Sequence, residues 1–374
     1  MKIGIFLTFD YSLQAWNSGG VLNRELRIYE ELAKTFGLEF TFFTYGDSDE
    51  FDLDISKKFK IVPIYSLTKK YSNKYLRIIS SLIIPLRIKK EIKELDILHQ
   101  HQLHGVWIPI ICKFLYKKKL LIRTGYDMHY FSIKDNKSLA VKTFYKFLTY
   151  ISLRYSDIYT VTSKEDQKRL IKQYKKIIKI IRIRPNWVKR VDQKAVDDRS
   201  KTNILSVGRL EYQKNYKQLL KEFENTKDTY KITIIGTGSQ KNFLLNSSKN
   251  MNIDLDIVQN MGNENLVQMY KHFKYYISFS LFEGNPKTVL EAMAAGCIPI
   301  CSNIPSHSEI VEDNFNGILF DLNNPNILKK LDFLNGDEVS TEKLKINALK
   351  KVREDNSIQL LSVNMYSDYK LITS

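Results

Sequence analysis

Two glutamates, Glu283 and Glu291, stand eight positions apart in a segment whose other residues favour a loop followed by a helix. Asn285 can cap that helix, and Pro286 suits its first turn, where a missing backbone N–H costs nothing. Glu283 would then lie in the loop and Glu291 in the second helical turn, with both carboxylates facing one ligand. Because carboxylates accept hydrogen bonds from hydroxyl groups, the pair predicts a site for a sugar-containing ligand.

The same segment is suited to an anion. The predicted helix ends at Gly296, and its first turn presents backbone N–H groups and the positive end of the helix dipole. Gly284 lies just before the helix and allows a phosphate or a sugar to approach the backbone closely. A nucleotide sugar combines both chemical features.

Two cations follow a strand predicted at 203–207. Gly208 ends this strand, Arg209 comes next, and Lys214 follows five residues later. Arginine can bind phosphate oxygens through two parallel N–H groups, and lysine adds a point charge. Together they would stabilise the charge that develops on a departing diphosphate, a task that a metal ion performs in other enzymes. We therefore expect the site to need no metal ion and no cofactor. The nucleotide sugar would be a co-substrate rather than a cofactor.

The elements that must position these residues are those of parallel α/β sheets. In the first half of the chain, strands are predicted at 2–9, 39–45, 96–99, 120–123 and 158–162, with helices at 22–36 and 141–155. In the second half, strands are predicted at 203–207, 231–235, 256–259, 275–279, 298–301 and 317–320. Such alternation of strands and helices is typical of doubly wound sheets.

The polar, charge-rich stretch at 188–202 suggests a boundary between two domains. We predict an N-terminal Rossmann-like domain over 1–190, a linker over 191–202, a C-terminal Rossmann-like domain over 203–355 and a final segment over 356–374. Ligands of such sheets collect at the carboxyl ends of the strands. The expected architecture is therefore α/β, with two doubly wound domains facing across a cleft.

The composition agrees with a folded protein of two domains. The chain has 374 residues, of which 43% are hydrophobic and 26% charged, close to globular averages. Its three cysteines are too few for a disulfide framework and fit a reducing compartment. The N-terminus has the pattern of a strand rather than of a signal peptide, and no apolar run reaches the ~20 residues of a spanning helix. The expected location is cytoplasmic.

The positive charge lies in the first half. Residues 1–190 hold 36 Lys and Arg against 18 Asp and Glu, within a net charge of +17 for the chain. This asymmetry suggests an anionic partner, such as the inner face of the membrane, a phosphorylated lipid carrier or nucleic acid; a lysine-rich solvated surface is the alternative. Residues 71–93 mix Lys and Arg with Leu and Ile, which resembles an interfacial helix interrupted by Pro85 or a core helix with a basic outer face.

Taken together, the segment 282–296 resembles the Glu-x7-Glu motif of retaining GT-B glycosyltransferases, in particular glycosyltransferase family 4 (group 1). Further motifs resemble the same family in the same order: SGG at 18–20, GRL…QKN at 208–215, GTG at 236–238, and Ser280. The resemblance covers nearly the whole chain. It implies retaining, metal-independent transfer of a hexose from a nucleotide sugar, with UDP favoured and GDP as the alternative. The implied acceptor is a glycan or a lipid-linked sugar in polysaccharide, lipopolysaccharide or capsule synthesis.

The resemblance also implies roles for individual residues. Glu291 would hold the donor ribose and Glu283 the donor sugar, while Arg209 and Lys214 would hold the pyrophosphate. The other donor-site residues implied are Gly284, Asn285, Pro286, Lys287, Gly208, Gly236, Gly19 and Gly20. The family further implies that the C-terminal segment forms a helix that crosses back to the first domain.

The chain departs from the family near the reacting carbon. Many members carry a histidine after the strand equivalent to 120–123, and this sequence has none there. The candidates to replace it, on the acceptor side of the site, are His101, Arg123, Tyr126, Asp127 and His129. A catalytically silent partner subunit is a further alternative.

Other readings of the sequence concern metals and other functions. The spacing of His99, His101 and His104 matches no zinc pattern, and the pairs Asp52/Asp54 and Asp254/Asp256 are interpreted as structural. A sugar-nucleotide epimerase of the same architecture would need no acceptor. A basic nucleic-acid-binding protein would bind with steep salt dependence, but the sequence has no stacking-rich motif or zinc finger.

Overall fold

The computed structural model describes residues 1–177, 180–191, 199–259 and 261–374. Over these ranges the chain forms two compact units, one of Met1–Pro185 with Leu361–Ser374 and one of Asn186–Leu360. The division thus follows Pro185, where the sequence had suggested Arg190. Residues 192–198 of the predicted linker lie outside the described residues.

The first unit is built on a parallel sheet. Its described strands are β1 Lys2–Phe6, β2 Glu39–Thr44, β3 Lys60–Pro63, β4 Ile97–Gln100, β5 Lys119–Arg123, β6 Ile158–Val161 and β7 Ile180–Ile183. They pair in the order β3-β2-β1-β4-β5-β6-β7, with every pairing parallel. The strands run outward on both sides from β1, which is the doubly wound arrangement predicted.

The helices of the first unit connect these strands. They are α1 Leu13–Ser18, α2 Leu22–Phe36, α3 Ile64–Leu67, α4 Lys74–Ser81, α5 Ile84–Arg87, α6 Lys89–Lys93, α7 Trp107–Tyr116, α8 Met128–Lys134, α9 Leu139–Tyr155 and α10 Lys164–Gln173. Helix α2 has the predicted bounds and buries Leu22, Leu26, Tyr29 and Leu32, which recur every three or four residues. It ends at Gly37, whose left-handed φ of 65° favours glycine.

The second unit has the same kind of sheet. Its described strands are β8 Asn203–Val207, β9 Tyr230–Ile235, β10 Ile253–Val258, β11 Tyr275–Ser278, β12 Ile298–Ser302 and β13 Ile318–Phe320. They pair in parallel in the order β10-β9-β8-β11-β12-β13. The helices are α11 Tyr216–Lys221, α12 Lys241–Ser248, α13 Asn263–Tyr270, α14 Lys287–Ala294, α15 Pro305–Ser308, α16 Ile327–Gly336 and α17 Glu338–Asp355.

Four strands differ from the predictions by more than one residue, and the first of them, β1, ends at Phe6 rather than at Phe9. The sequence analysis missed β3, a four-residue strand that ends in proline, and β7, whose residues are exposed or half-buried at the edge of the sheet. Strand β10 begins at Ile253, before the predicted start at Asp256. Asp254 and Asp256 therefore lie on an edge strand. Edge strands carry weaker apolar patterns because one side of each is open to solvent.

The last helix, α18 Ile358–Thr373, begins in the second unit and continues in the first. Its Asp368 side chain is buried and accepts hydrogen bonds from two guanidinium groups. Arg182 Nη1 donates to Oδ1 at 2.7 Å, and Arg184 donates to both carboxylate oxygens at 2.6 Å. Tyr369 adds a hydrogen bond of 2.7 Å between its hydroxyl and His99 Nδ1. These contacts attach the C-terminal helix to strands β4 and β7.

Replacing Asp368 with alanine should destabilise the first unit by about 2–3 kcal/mol, because two cations lose a buried partner while keeping some access to water. The free energy of unfolding would be measured in urea by circular dichroism. Asp355→Ala is the matched control, since Asp355 pairs with Lys351 at 2.6 Å on an exposed helix surface and should contribute less than about 1 kcal/mol. Equal effects of the two substitutions would contradict this account of the C-terminal helix.

Candidate functional site

The candidate site of the second unit is formed by loops at the carboxyl edge of its sheet. Strands β8 and β11 are neighbours although they are not consecutive, so the loops that follow them diverge at a topological switch point. Backbone hydrogen bonds join the loops: Leu210 N donates to Thr237 O at 2.8 Å, and Leu281 N donates to Gln213 O at 2.9 Å. The segments predicted from separate motifs therefore meet at one place.

An ion pair lies at the centre of these loops. Lys214 Nζ donates to Glu283 Oε1 at 2.6 Å, and Ser280 Oγ donates to the same oxygen at 2.8 Å. The two charged side chains are 14% and 11% exposed. Burial opposes ionisation of Glu283, but the Lys214 charge and the hydrogen bonds outweigh it and hold the pKa of Glu283 below its usual value. Glu283 is therefore ionised at neutral pH.

Gln213 connects Arg209 to the acidic loop. Its Oε1 accepts a hydrogen bond of 3.2 Å from Arg209 Nη2, while its Nε2 donates to Phe282 O at 2.8 Å. Gln213 is buried and Arg209 is exposed. The guanidinium of Arg209 thus lies at the surface of the same cluster as Lys214, and two positive charges are available to one anionic ligand.

Gly208 and Gly236 permit this close packing of loops. A Cβ on Gly236 would clash with the Gly208 carbonyl, and a Cβ on Gly208 would lie 2.6 Å from Lys214 Cε. Both glycines therefore allow protein groups to approach each other. This role is distinct from the ligand contact that the resemblance implied for them.

The capping prediction for Asn285 is wrong. Helix α14 begins at Lys287 with Pro286 as its N-cap residue, and no side chain caps it. The Asn285 side chain instead accepts a hydrogen bond of 2.8 Å from the Asn186 backbone N–H, and Asn186 Nδ2 donates to Asn285 O at 2.6 Å. The partner is 99 residues away in the chain, so a local pattern could not reveal it.

Glu291 and Lys287 lie on α14 itself. Glu291 is buried and its Oε1 accepts a hydrogen bond of 3.1 Å from Asn263 Nδ2, at the start of α13. Lys287 Nζ lies 4.4 Å from the ring centroid of Trp187, a cation–π distance. Gly284 is buried between Glu283 and this helix. The first turn of α14 places backbone N–H groups beside the acidic loop.

A buried histidine that the sequence analysis did not select supports the acidic loop. His307 Nδ1 lies 2.8 Å from Ser302 O, and its Nε2 lies 3.4 Å from Ser278 Oγ. Burial lowers the pKa of His307 to about 4, so the ring is neutral at physiological pH and donates from Nδ1 to the carbonyl. Ser278 Oγ lies 3.2 Å from Ser280 Oγ, which reaches Glu283. The sequence analysis did not select Gln213, Asn263 or His307, whose contacts with Phe282, Glu291 and Ser278 span 69, 28 and 29 residues of the chain.

In the first unit, two of the acceptor-side candidates belong to one polar cluster. His101 Nδ1 lies 3.2 Å from the Tyr29 hydroxyl, and its ring packs edge-on against Trp16. Arg123 ends strand β5, where burial lowers its pKa and the neighbouring Tyr29 opposes that shift. His101 and Arg123 therefore share the carboxyl edge of β4 and β5.

The other acceptor-side candidates contact residues of helices α8 and α10. Asp127 Oδ1 caps α8 by accepting from Tyr130 N at 3.0 Å, and its Oδ2 lies 3.6 Å from Arg169 Nη1. Tyr126 packs against Phe131, and His129 Nδ1 lies 3.2 Å from Gln173 Nε2. Asp127 thus serves as the N-cap of α8, and the roles of the three residues toward an acceptor stay predictions.

Gly19 and Gly20 also lie in the first unit, between α1 and α2. Gly19 is the C-cap of α1, and Gly20 has a φ of 66°, which favours glycine. Among the described residues no group of three or more His, Cys, Asp and Glu side chains is placed to hold a metal ion. No described helix is long and apolar enough to cross a membrane.

Comparisons with known proteins place this site in a family. Residues 188–351 match the family described as glycosyl transferases group 1. An N-acetylgalactosamine-N,N'-diacetylbacillosaminyl-diphospho-undecaprenol 4-alpha-N-acetylgalactosaminyltransferase of Campylobacter jejuni is 26% identical over 87% of each chain. A UDP-Gal:alpha-D-GlcNAc-diphosphoundecaprenol alpha-1,3-galactosyltransferase of Escherichia coli is 25% identical over 74% of this chain and 70% of its own length.

Solved structures support the fold assignment. Sucrose-phosphate synthase of Thermosynechococcus elongatus superimposes with a TM-score of 0.83 over 99% of both chains, at 14% sequence identity. Its likeness covers both parallel sheets, and the family match covers the loops that carry Glu283, Glu291, Arg209 and Lys214. Residues 188–351 therefore carry the group 1 glycosyltransferase domain, and the chain is a glycosyltransferase with the GT-B fold of two parallel α/β units.

Proposed function

We propose that this glycosyltransferase moves a sugar from a nucleotide sugar, with UDP favoured, to a lipid-linked or glycan acceptor with retention of anomeric configuration and without a metal ion. The observation that carries the proposal is the Lys214–Glu283 pair. Both hydrogen bonds described for the Glu283 side chain end on Oε1. The second carboxylate oxygen, Oε2, is thus positioned to accept a hydrogen bond from a hydroxyl group of the donor sugar.

The cations of the same cluster suit the leaving diphosphate. Lys214 has further N–H groups beyond the one that reaches Glu283, and Arg209 lies at the surface of the cluster. As the bond from the anomeric carbon to the diphosphate oxygen breaks, the diphosphate takes the electron pair, and both cations stabilise that charge. With retention, the acceptor oxygen forms its new bond to the anomeric carbon on the face that the diphosphate leaves, and a diphosphate oxygen takes the proton of the acceptor hydroxyl.

The acceptor class is proposed from the relatives. The two relatives described above are named for acceptors joined to undecaprenol through a diphosphate, and one is named for the donor UDP-Gal. The basic first half of this chain has the charge that an anionic diphosphate carrier would require. We propose that this enzyme works in polysaccharide or glycoconjugate synthesis at the inner face of the cytoplasmic membrane.

The first test is a product assay. The enzyme would be incubated with UDP-sugars and GDP-sugars, with and without a polyprenyl-diphosphate-linked sugar, in the presence of EDTA. We expect an acceptor-dependent product whose anomeric configuration, measured by NMR, matches that of the donor. Formation of an epimerised nucleotide sugar without acceptor would contradict the proposed transfer reaction. A product of inverted configuration would contradict retention, and loss of turnover in EDTA would contradict metal independence. Donor binding without turnover would point to a silent partner subunit.

The second test concerns Lys214. Replacing it with alanine should reduce kcat about 100-fold or more, because the departing diphosphate loses a charged donor at a partly buried position. Lys217→Ala is the control, since Lys217 is an exposed lysine on α11 of the same unit. Steady-state rates at saturating donor would be compared, with circular dichroism to verify folding. An unchanged kcat in Lys214→Ala would refute the proposed role.

The third test concerns Glu291 and the ribose. UDP at 100 times its dissociation constant should stabilise the wild-type protein by ~2.7 kcal/mol. Glu291→Gln should weaken UDP binding about tenfold, because an amide is a poorer acceptor than a carboxylate for ribose hydroxyls. Glu342→Gln, on the exposed surface of α17, is the control. The UDP affinities of the two variants would be measured from thermal unfolding at increasing UDP concentrations. An unaltered UDP affinity in Glu291→Gln would exclude the ribose role.

A further inference from the structure

Three segments of the first unit contain basic residues and no acidic ones. Residues 65–90 contain seven Lys and Arg, residues 107–119 contain four, and residues 137–156 contain four, with no Asp or Glu in any of the three segments. The segments include helices α4 and α5, helix α7 and helix α9. We call the exposed surface of these three segments the docking face.

The three segments lie side by side. Trp107 Nε1, at the start of α7, donates to Ser81 Oγ of α4 at 2.8 Å. Near the other end of α7, the Tyr116 hydroxyl donates to Pro85 O at 2.9 Å. The rings of Phe114 on α7 and Tyr155 at the end of α9 meet with centroids 5.2 Å apart. Helix α7 therefore joins the α4–α5 segment to α9.

Large apolar side chains project from this face into solvent. On α4 and the segment that follows it, Tyr75, Ile79 and Leu86 are 66%, 64% and 62% exposed. The other exposed apolar side chains of the three segments are Leu67, Leu76, Leu82, Ile83, Phe114, Leu115, Leu139, Phe144, Phe147, Tyr150 and Tyr155. A surface helix normally turns such a stripe toward the core, and single exposed residues need no explanation, but a contiguous group does.

The charges around the apolar side chains are positive and mostly unneutralised. Asp10 pairs with Arg77 at 2.8 Å, and Asp157 pairs with Lys113 at 2.5 Å. Exposed cations of the face include Lys74, Arg87, Lys89, Lys90 and Lys146. Long lysine and arginine side chains can lay their methylene groups along apolar surface while their charges reach outward.

We propose that the docking face binds the surface of an anionic lipid bilayer. Its aromatic and aliphatic side chains would enter the boundary between headgroups and acyl chains, and its cations would contact lipid phosphates. A second copy of the same face is a poor partner, because two surfaces of like charge repel each other. The proposal deepens the function proposed above, since it names the surface that brings the enzyme to a lipid-linked acceptor.

Vesicle binding tests the proposal without donor or acceptor. The wild-type protein should co-sediment with vesicles of equal parts phosphatidylglycerol and phosphatidylcholine, much less with pure phosphatidylcholine, and less as salt rises. The double variants Ile79→Ser/Leu86→Ser and Lys89→Glu/Lys90→Glu should each bind the anionic vesicles at least about tenfold more weakly, the first through lost apolar burial and the second through lost attraction.

Matched controls are available on the second unit. Phe333→Ser/Val339→Ser and Lys329→Glu/Lys343→Glu change exposed residues of α16 and α17 and should bind vesicles like the wild type.

All variants should keep their UDP-induced thermal stabilisation, so that loss of vesicle binding is separated from unfolding and from failure of the proposed donor site. Equal binding to pure phosphatidylcholine, or undiminished binding by both docking-face variants, would overturn the proposal. The oligomeric state of Ile79→Ser/Leu86→Ser would be measured by light scattering. If this variant changed its oligomeric state but kept its vesicle binding, the docking face would be assigned to contacts between copies instead.

Discussion

A parallel sheet has all of its carboxyl ends at one edge, and this constraint organises the second unit. Because β8 and β11 are neighbours in the sheet, the loops that follow them begin side by side and then diverge. Two segments nearly 70 residues apart in the chain thereby supply a lysine and a glutamate to one ion pair. The glycines of these loops allow the close approach, since a Cβ on Gly236 would meet the neighbouring backbone.

The electrostatics of the cluster follow from this geometry. A buried carboxylate alone would be costly, and a buried lysine alone would be as well. Lys214 and Glu283 offset each other's desolvation, and a chain of hydrogen bonds through Ser280 and Ser278 ends at a neutral histidine. The result is a rigid, locally neutral group with an additional cation, Arg209, at its surface. Such preorganised charge suits a ligand that is itself a sugar joined to a diphosphate.

Much of the fold could be predicted because the strands of parallel sheets are buried on both faces and are continuously apolar. Strand β8 and helix α2 have their predicted bounds. The missed strands are β3, which has only four residues and ends in proline, and β7, whose residues are exposed or half-buried. The predicted cap of α14 is wrong because Asn285 pairs with Asn186 instead of with its own helix. Side-chain amides such as that of Asn285 serve local or distant partners equally well, so residue type alone does not decide between them.

The sequence by itself determined the fold class, the alternation of strands and helices, and the segment that carries Glu283 and Glu291. It did so because apolar periodicity and the spacing of charged residues are local properties of the chain. Only the tertiary structure decided that Lys214 pairs with Glu283, that Asp127 caps a helix, and that the apolar stripe of α4 faces solvent. These outcomes depend on which distant segments pack together, and packing is a property of the whole unit rather than of any window of sequence.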